Sequence, residues 1–299
     1  MHGIEWPLSE PLPRDLPWRG TVALLLDGVS VDKLPQQLYT WSEAPDYQPL
    51  YLGTRWSGLT DISPCLVRLN SERDPICQQF LAHADEEWGY LVFSDQPWQT
   101  VLDHFRWLIC VTHPQDQQVL LRLADPAVAH ALLDQSMQRG DATLFGPCSH
   151  VLTADAALRC WHNHRRPAKA PVTSHAEPYR LSESQVTLLD EVNFRSVVIR
   201  LDRHMREYFP AFQVHLDAQD RWKYLYTLAS NAYERGFGSE LEITLFANIH
   251  GFLGPHAMTE HPDLDTLLET PSTLSRTQRI EHVASIARER AESLQRSYG

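Results

Sequence analysis

The sequence predicts an α/β (α+β) N-terminal lobe, with a mixed sheet flanked by helices, and an all-α C-terminal lobe. Three observations carry that reading. In the first half, short continuous apolar runs alternate with capped stretches of helical spacing. A segment at 161–178 then turns proline-rich and basic, with little apolar content. Beyond it, three Ser-x-x-Gln/Glu capping boxes each precede a helix-periodic run. The expected divisions are 1–160 for the mixed lobe, 161–178 for a linker that holds Arg165, Arg166 and Lys169, and 179–299 for the helical lobe.

Taken in order, Thr21–Val29 reads as a buried strand that ends in the turn Asp27-Gly28. Pro35–Glu43 reads as a short helix, and Pro49–Gly53 and Cys65–Leu69 as strands. Asp74-Pro75 opens a helix that runs to about Glu87: proline suits the first helical position, and the aspartate before it can cap. Gly89–Ser94 is a further strand, and Pro97 starts a helix over WQTVLDHF. Two strands follow, Arg106–His113 and Gln118–Asp125, joined at His113-Pro114-Gln115-Asp116 as an antiparallel hairpin. Asp125-Pro126 repeats the helix start for AVAHALLDQSM.

In the C-terminal lobe, Ser182 and Gln185 box a helix with Val186, Leu189, Val197, Val198, Leu201, Met205 and Tyr208 near helical spacing. A second helix covers about Ala218–Arg235, with Trp222, Leu225, Ala229, Ala232 and Tyr233 inward and Gly236 as its C′ residue. The remaining boxes are Ser239 with Glu242 and Ser275 with Gln278.

Composition limits the function classes. With 26 basic and 38 acidic residues the formal charge is −12, the opposite of the basic excess by which nucleic-acid binders neutralise phosphate. No apolar run approaches the ~18 residues of a membrane helix. The N-terminus has no basic segment followed by an apolar one, so no export signal is expected. The five cysteines form no CxxC pair, and Cys65 and Cys110 lie in apolar runs, as reduced core thiols would. These readings place the chain in the cytoplasm, with no nucleic-acid or membrane partner.

Candidate chemistry is sparse. His250, His256 and His261, with Glu260, could supply zinc ligands, but their spacing fits no HExxH pattern. Cys160, His162 and His164 form a second such cluster. No GxSxG elbow is present. Asp27, Asp61, Asp95 and Asp125 could supply a carboxylate pair, but capping and strand-end turns explain Asp27, Asp95 and Asp125. Gly236-Phe237-Gly238 follows a helix and lacks a phosphate-loop lysine. No catalytic residue, cofactor or metal is therefore assigned. Arg68 and Arg122 interrupt apolar strands and need partners if buried, for which Asp27 and Asp125 are the natural choice. With Arg106 they form either a polar network joining sheet to helices or a partner-binding face. Trp6, Trp18, Trp41, Trp56 and Trp98 fall at loop or helix-edge positions, where aromatics cap a core or anchor an interface.

LLLDG (24–28), PCLVRL (64–69), WGYLVFS (88–94), HFRWLICV (104–111), VLLRLADP (119–126) and LFGP (144–147) occur in that order. Together they resemble the type VI secretion effector chaperones, also called adaptors (the Tap or TEC family, first catalogued as a domain of unknown function). The resemblance covers roughly 21–150, and the helical remainder is similar to that family's more variable C-terminal lobe. It implies a non-enzymatic protein of the bacterial cytoplasm that binds a toxic effector and helps load it onto the VgrG spike. Asp27, Arg68, Trp88-Gly89, Arg106, Arg122, Asp125-Pro126 and Phe145-Gly146-Pro147 match signature positions. Leu123-Ala124 stand where relatives usually carry aromatics, and Ala127 where a basic residue often follows; these departures bear on local packing and partner choice. The signature or partner-binding set is thus Asp27, Arg68, Trp88, Arg106, Arg122 and Asp125, with Trp98 as an aromatic candidate. Two other readings stay open: a metal-dependent hydrolase built on the C-terminal histidines, and a structural subunit of a secretion assembly.

Overall fold

The computed structural model describes residues 4–168, 174–270 and 273–298. Its packing divides the chain into two units, Met1–Val192 and Asn193–Gly299. Among the described residues, no helix is long and apolar enough to cross a membrane. Lys169 of the expected linker lies outside the described residues.

Unit 1 holds, in chain order, β1 (Ile4–Pro7), β2 (Thr21–Leu26), α1 (Leu34–Trp41), β3 (Tyr47–Pro49), β4 (Cys65–Leu69), α2 (Pro75–Ala82), β5 (Gly89–Ser94), α3 (Trp98–Leu108), β6 (Cys110–Thr112), β7 (Gln118–Leu120), α4 (Pro126–Arg139), β8 (Cys148–Asp155) and β9 (Cys160–Arg165). Helix α5 (Glu183–Tyr208) runs from unit 1 into unit 2. Seven strands form one sheet in the order β1-β9-β8-β5-β2-β4-β3, with each neighbouring pair antiparallel. Successive strand residues point to opposite faces, and here both faces are covered. Ala23, Leu25, Tyr90, Val92 and Val151 join a core that includes Leu102 and Phe105 of α3 and Leu132 of α4. The alternate residues Leu24, Leu26, Leu91, Phe93 and Leu152 join a second core with Leu38 of α1 and Phe80 of α2. Burial on both faces is why these strands read as unbroken apolar runs instead of alternating ones.

Sequence expectation and structure part company at three places in unit 1. First, Arg106–Leu108 belong to α3, not to a strand: Val101, Leu102, Phe105 and Leu108 recur at helical spacing and are all buried. The hairpin survives as β6 and β7, a separate two-stranded sheet turned at His113–Gln117. Leu121–Asp125 leave the strand for the turn that carries Arg122. Second, Leu50–Gly53 are turn, and only Tyr47–Pro49 pair with β4. Third, Trp161–Arg165, expected in the linker, form β9 between β1 and β8. Trp161 fills the second core, while His162 and His164 are buried beside His130 of α4. A strand that buries histidines carries no apolar signature.

Two glycines are required by close approach. A Cβ on Gly89 would stand 1.9 Å from the Leu25 carbonyl oxygen. Gly146, at φ +51°, lies against the His104 imidazole, whose atoms a Cβ would meet at 2.3 Å. That ring is buried: Nε2–H donates to Leu144 O (3.0 Å), and Nδ1 lies 3.1 Å from His175 Nε2.

Unit 2 comprises the rest of α5 with α6 (Ala218–Glu234), α7 (Glu240–Leu253), α8 (Ala257–Glu260), α9 (Pro262–Glu269) and α10 (Arg276–Tyr298). Leu201, Met205, Leu225, Ala229, Phe246, Ile249, Ile280 and Val283 form its core. All three capping boxes form: Gln185 N–H donates to Ser182 Oγ (3.3 Å), Glu242 N–H to Ser239 Oγ (3.3 Å) and Gln278 N–H to Ser275 Oγ (3.2 Å). In each box the third-position side chain accepts from the cap N–H. Gly236 closes α6 in the left-handed region at φ +86°. Tyr233, expected inward, is exposed, as is Tyr208 of the helix-periodic set in α5. The buried positions near them are Met205, and Ala229 with Ala232, so the apolar stripe passes beside each tyrosine. Arg221 fills an inward position instead: its Nε donates to Asp202 (2.6 Å) and its Nη1 to Phe212 O (2.7 Å).

Gly89→Ala is expected to destabilise the protein by about 3 kcal/mol, since the new methyl overlaps immovable backbone. Gly58→Ala, which meets nothing within 4 Å, should stay within about 0.5 kcal/mol; urea midpoints measure both. Burial lowers the His104 pKa from 6.5 to about 4, with Leu144 O opposing and His175 adding to the shift. The unfolded chain therefore takes up a proton that the folded one refuses. The stability this ring contributes is fully present above pH 6.5 and is lost progressively as pH falls toward about 4. His104→Gln should flatten that part of the acid slope in pH-dependent urea melts.

Candidate partner-binding site

Strand β2 has no room for polar groups on either face, so its polar residues collect at its end. There the Asp27 N–H donates to Trp88 O (2.7 Å), extending the pairing of β2 with β5 by one step. Gly28 follows against Ser63, where a Cβ would stand 2.4 Å from the carbonyl oxygen. The Asp27 side chain is only 3% exposed. Its carboxylate accepts from Val29 N–H (2.9 Å), Ser30 Oγ (3.1 Å) and Arg122, whose Nη2 lies at 2.9 Å and Nε at 3.3 Å. Arg122 also reaches Asp125 (3.4 Å) and Ser30 Oγ (3.3 Å). Asp125 caps α4 by accepting from Ala127 N–H (2.9 Å) and Val128 N–H (3.4 Å). The Tyr90 hydroxyl donates to Leu123 O (2.7 Å) and pins the intervening segment to the sheet.

The electrostatics follow from this packing. Burial raises the Asp125 pKa; Arg122 and the capping N–H groups pull against it, and Glu87 adds to it. Burial also works against the charge on Arg122, but Asp125 and Asp27 outweigh it and hold the guanidinium above its ordinary pKa. Half of the Arg122 side chain, 48%, remains exposed, so the network has an interior carboxylate and an outward cation. Trp88 is joined to the network through its backbone carbonyl, which accepts from Asp27 N–H. Its ring stacks with Trp41 (5.5 Å) and His83 (4.3 Å), and its Nε1 donates to Glu86 (3.0 Å).

Of the residues singled out from the sequence, Asp27, Arg122 and Asp125 come together, with the Trp88 backbone joined to Asp27. Arg68 is elsewhere. It pairs in register with Ala23, four residues from Asp27, which is about 13 Å along a strand. It therefore reaches neither Asp27 nor Asp125. Instead it lies 4.0 Å from Asp46 and over the Trp98 ring at 5.8 Å, a cation–π contact. Trp98 opens α3 and packs half-buried on the first core. Arg106 lies near the end of α3; among the described residues its buried Nε has no hydrogen-bond partner. Ser30, which bridges Asp27 and Arg122, and Tyr90 escaped the sequence reading. Ser30 three residues after a strand-end aspartate was the available signal.

The C-terminal histidines have separate attachments. His250 is buried with Nδ1 3.3 Å from Pro255 O, and burial lowers its pKa to about 4. His261 Nδ1 lies 3.2 Å from Arg290, and His256 is exposed. Among the described residues, metal-type ligand atoms gather at Glu5, Cys160 and His162. His164 sits instead beside His130 (3.2 Å) and Thr153 (3.3 Å).

Arg122→Ala leaves a buried carboxylate without its cation and should cost about 1–3 kcal/mol, less than a fully buried pair because the arginine is half-exposed. Adding Asp27→Asn should recover part of that loss in a double-mutant cycle read by urea denaturation. Strictly additive losses would deny the coupling.

A family model described as a domain of unknown function, DUF4123, matches residues 24–141. Over 284 residues the chain is 28% identical to accessory protein VasW of Vibrio cholerae serotype O1 (strain ATCC 39315 / El Tor Inaba N16961), a match that covers 92% of this chain and 90% of that protein. No solved structure matches the chain. The matched segment runs from within β2, just before Asp27, to just past the end of α4, and so contains the whole Asp27–Arg122–Asp125 network; over that segment the chain is similar to the DUF4123 family.

Proposed function

We propose that this protein is a non-enzymatic adaptor that binds a toxic type VI secretion effector in the bacterial cytoplasm and helps load it onto a VgrG spike. The observation that carries the reading is the likeness of nearly the whole chain to an accessory protein. It joins the ordered motifs, which resemble the effector-adaptor family. The chemistry of the site supports a scaffold. Asp27 and Asp125, the carboxylates best placed for acid–base work, are both engaged by Arg122 and by backbone N–H groups.

Two surfaces of unit 1 suit a protein partner. One is made of the outward face of Arg122 and the Trp88 stack, at the strand ends joined by the Asp27–Trp88 backbone bond, and the other is the Arg68–Trp98 pair. Arginine and tryptophan are the residue types that most often dominate interface energies. We assign the effector contact to these side chains.

The test is capture by the tagged, full-length chain, followed by mass spectrometry. A toxin and VgrG are expected in the eluate. Trp88→Ala and Arg68→Ala should each weaken effector capture about tenfold, which is about 1.4 kcal/mol, without lowering the melting temperature by more than a few degrees. A folded protein that captures neither component would sink the adaptor reading. Full capture by both variants would overturn the assigned surface.

A further inference from the structure

At the edge of the main sheet, β1 lies on β9 and β9 on β8. The register sets Glu5 opposite His162 and Asp155 opposite Cys160. The His162 side chain is 4% exposed, yet three polar groups converge on its ring. Glu5 Oε1 is 3.3 Å from Nδ1, while Asp155 Oδ2 and Cys160 Sγ are 3.6 Å and 3.7 Å from Nε2. One ligand atom from each of Glu5, Cys160 and His162 lies within 4.8 Å of the other two.

We propose that Glu5, Cys160 and His162 bind a divalent cation of the zinc class, with Asp155 as the flanking carboxylate. Thiolate sulfur, imidazole nitrogen and carboxylate oxygen are the donor set that zinc prefers, and the mixture of soft and hard ligands selects against magnesium and calcium. Ligand atoms of a tetrahedral zinc site stand about 3.5 Å apart, so three ligand atoms already within 4.8 Å of one another would have to draw together by little more than ~1 Å. The ring is already oriented: His130 of α4 stacks on it at 3.9 Å. With Nδ1 directed at an ion on the Glu5 side, the Asp155 carboxylate on Nε2 would fix the ring and strengthen it as a ligand. Glu5 is 57% exposed, so an ion has an entry path from solvent. The cation would fasten β1, a four-residue edge strand, to β9 through side chains as well as through the ladder. On binding, the Cys160 thiol releases its proton to the buffer, so affinity should rise with pH. This site is distinct from the C-terminal histidines and from the arginine network.

The test uses the full-length chain stripped with a chelator and then titrated with cobalt or zinc. The wild type should hold one zinc per chain after gel filtration, and with cobalt it should develop a near-ultraviolet thiolate-to-metal absorption band. Cys160→Ser should abolish that band while leaving the melting temperature of the stripped protein unchanged. Glu5→Gln and His162→Ala should weaken zinc binding at least tenfold, and Asp155→Asn about 10–100-fold if it orients the ligands. His250→Ala should change nothing. No cobalt–thiolate band in the wild type would overturn the proposal, as would a band that survives Cys160→Ser. Should His162→Ala fail to fold, the Cys160→Ser comparison decides alone.

Discussion

A carboxylate buried at the end of a two-sided strand needs a cation, and much of unit 1 is arranged to bring Arg122 to Asp27. The need begins in β2. Each of its residues from Val22 to Leu26 is buried, because α1 and α2 cover one face of the sheet while α3 and α4 cover the other. No charge fits within such a strand, so the first polar residue after it stands at the boundary between two cores. A buried carboxyl group such as Asp27 is tolerable only with its oxygens satisfied, and Val29, Ser30 and Arg122 supply the donors. Holding Arg122 there fixes the turn between β7 and α4. That turn places Asp125, whose cap starts α4, and α4 then packs on the sheet. One ion pair thus connects a strand end, a helix start and the interlayer packing.

The same rule operates in unit 2 with the signs reversed. Arg221 occupies an inward position of α6 and is nearly fully buried. It is held by Asp202 of α5 and by the carbonyls of Phe212 and Gln213. Here the buried group is the cation, and the loop between α5 and α6 wraps to supply oxygen. In both units a charged residue inside an apolar layer fixes a connection that apolar packing alone would leave loose, since packing is non-directional and hydrogen bonds are not.

How much of this was legible follows from the same physics. From Thr21 to Arg139 the order of strands and helices could be read directly, because double-sided burial makes apolar runs and Asp-Pro pairs mark helix starts. The boxes at Ser182, Ser239 and Ser275 were legible because a cap is a local bond between neighbours in sequence. The strands β1, β8 and β9 were not. In β9 the buried residues are Trp161, His162, Asn163 and His164, and their burial depends on partners far along the chain. The pairing of Arg122 with Asp27 and Asp125 was legible from charge in an apolar context. The matching expectation for Arg68 failed on distance, because strand register, which sequence spacing does not reveal, sets it opposite Ala23 and half in solvent.

The motif residues divide by what holds them. Gly28, Gly89 and Gly146 are fixed by contacts too close for any Cβ. Asp27 and Asp125 are fixed by burial, and Arg122 is fixed on its inner side only. Such positions specify a scaffold, because altering them disturbs backbone or leaves a charge unpaired before any partner is met. The outer half of Arg122, the Trp88 stack and the Arg68–Trp98 pair are under no such obligation. A motif read from the sequence therefore reports how this domain is built, and it places no constraint on the side chains whose outer surfaces the fold leaves free.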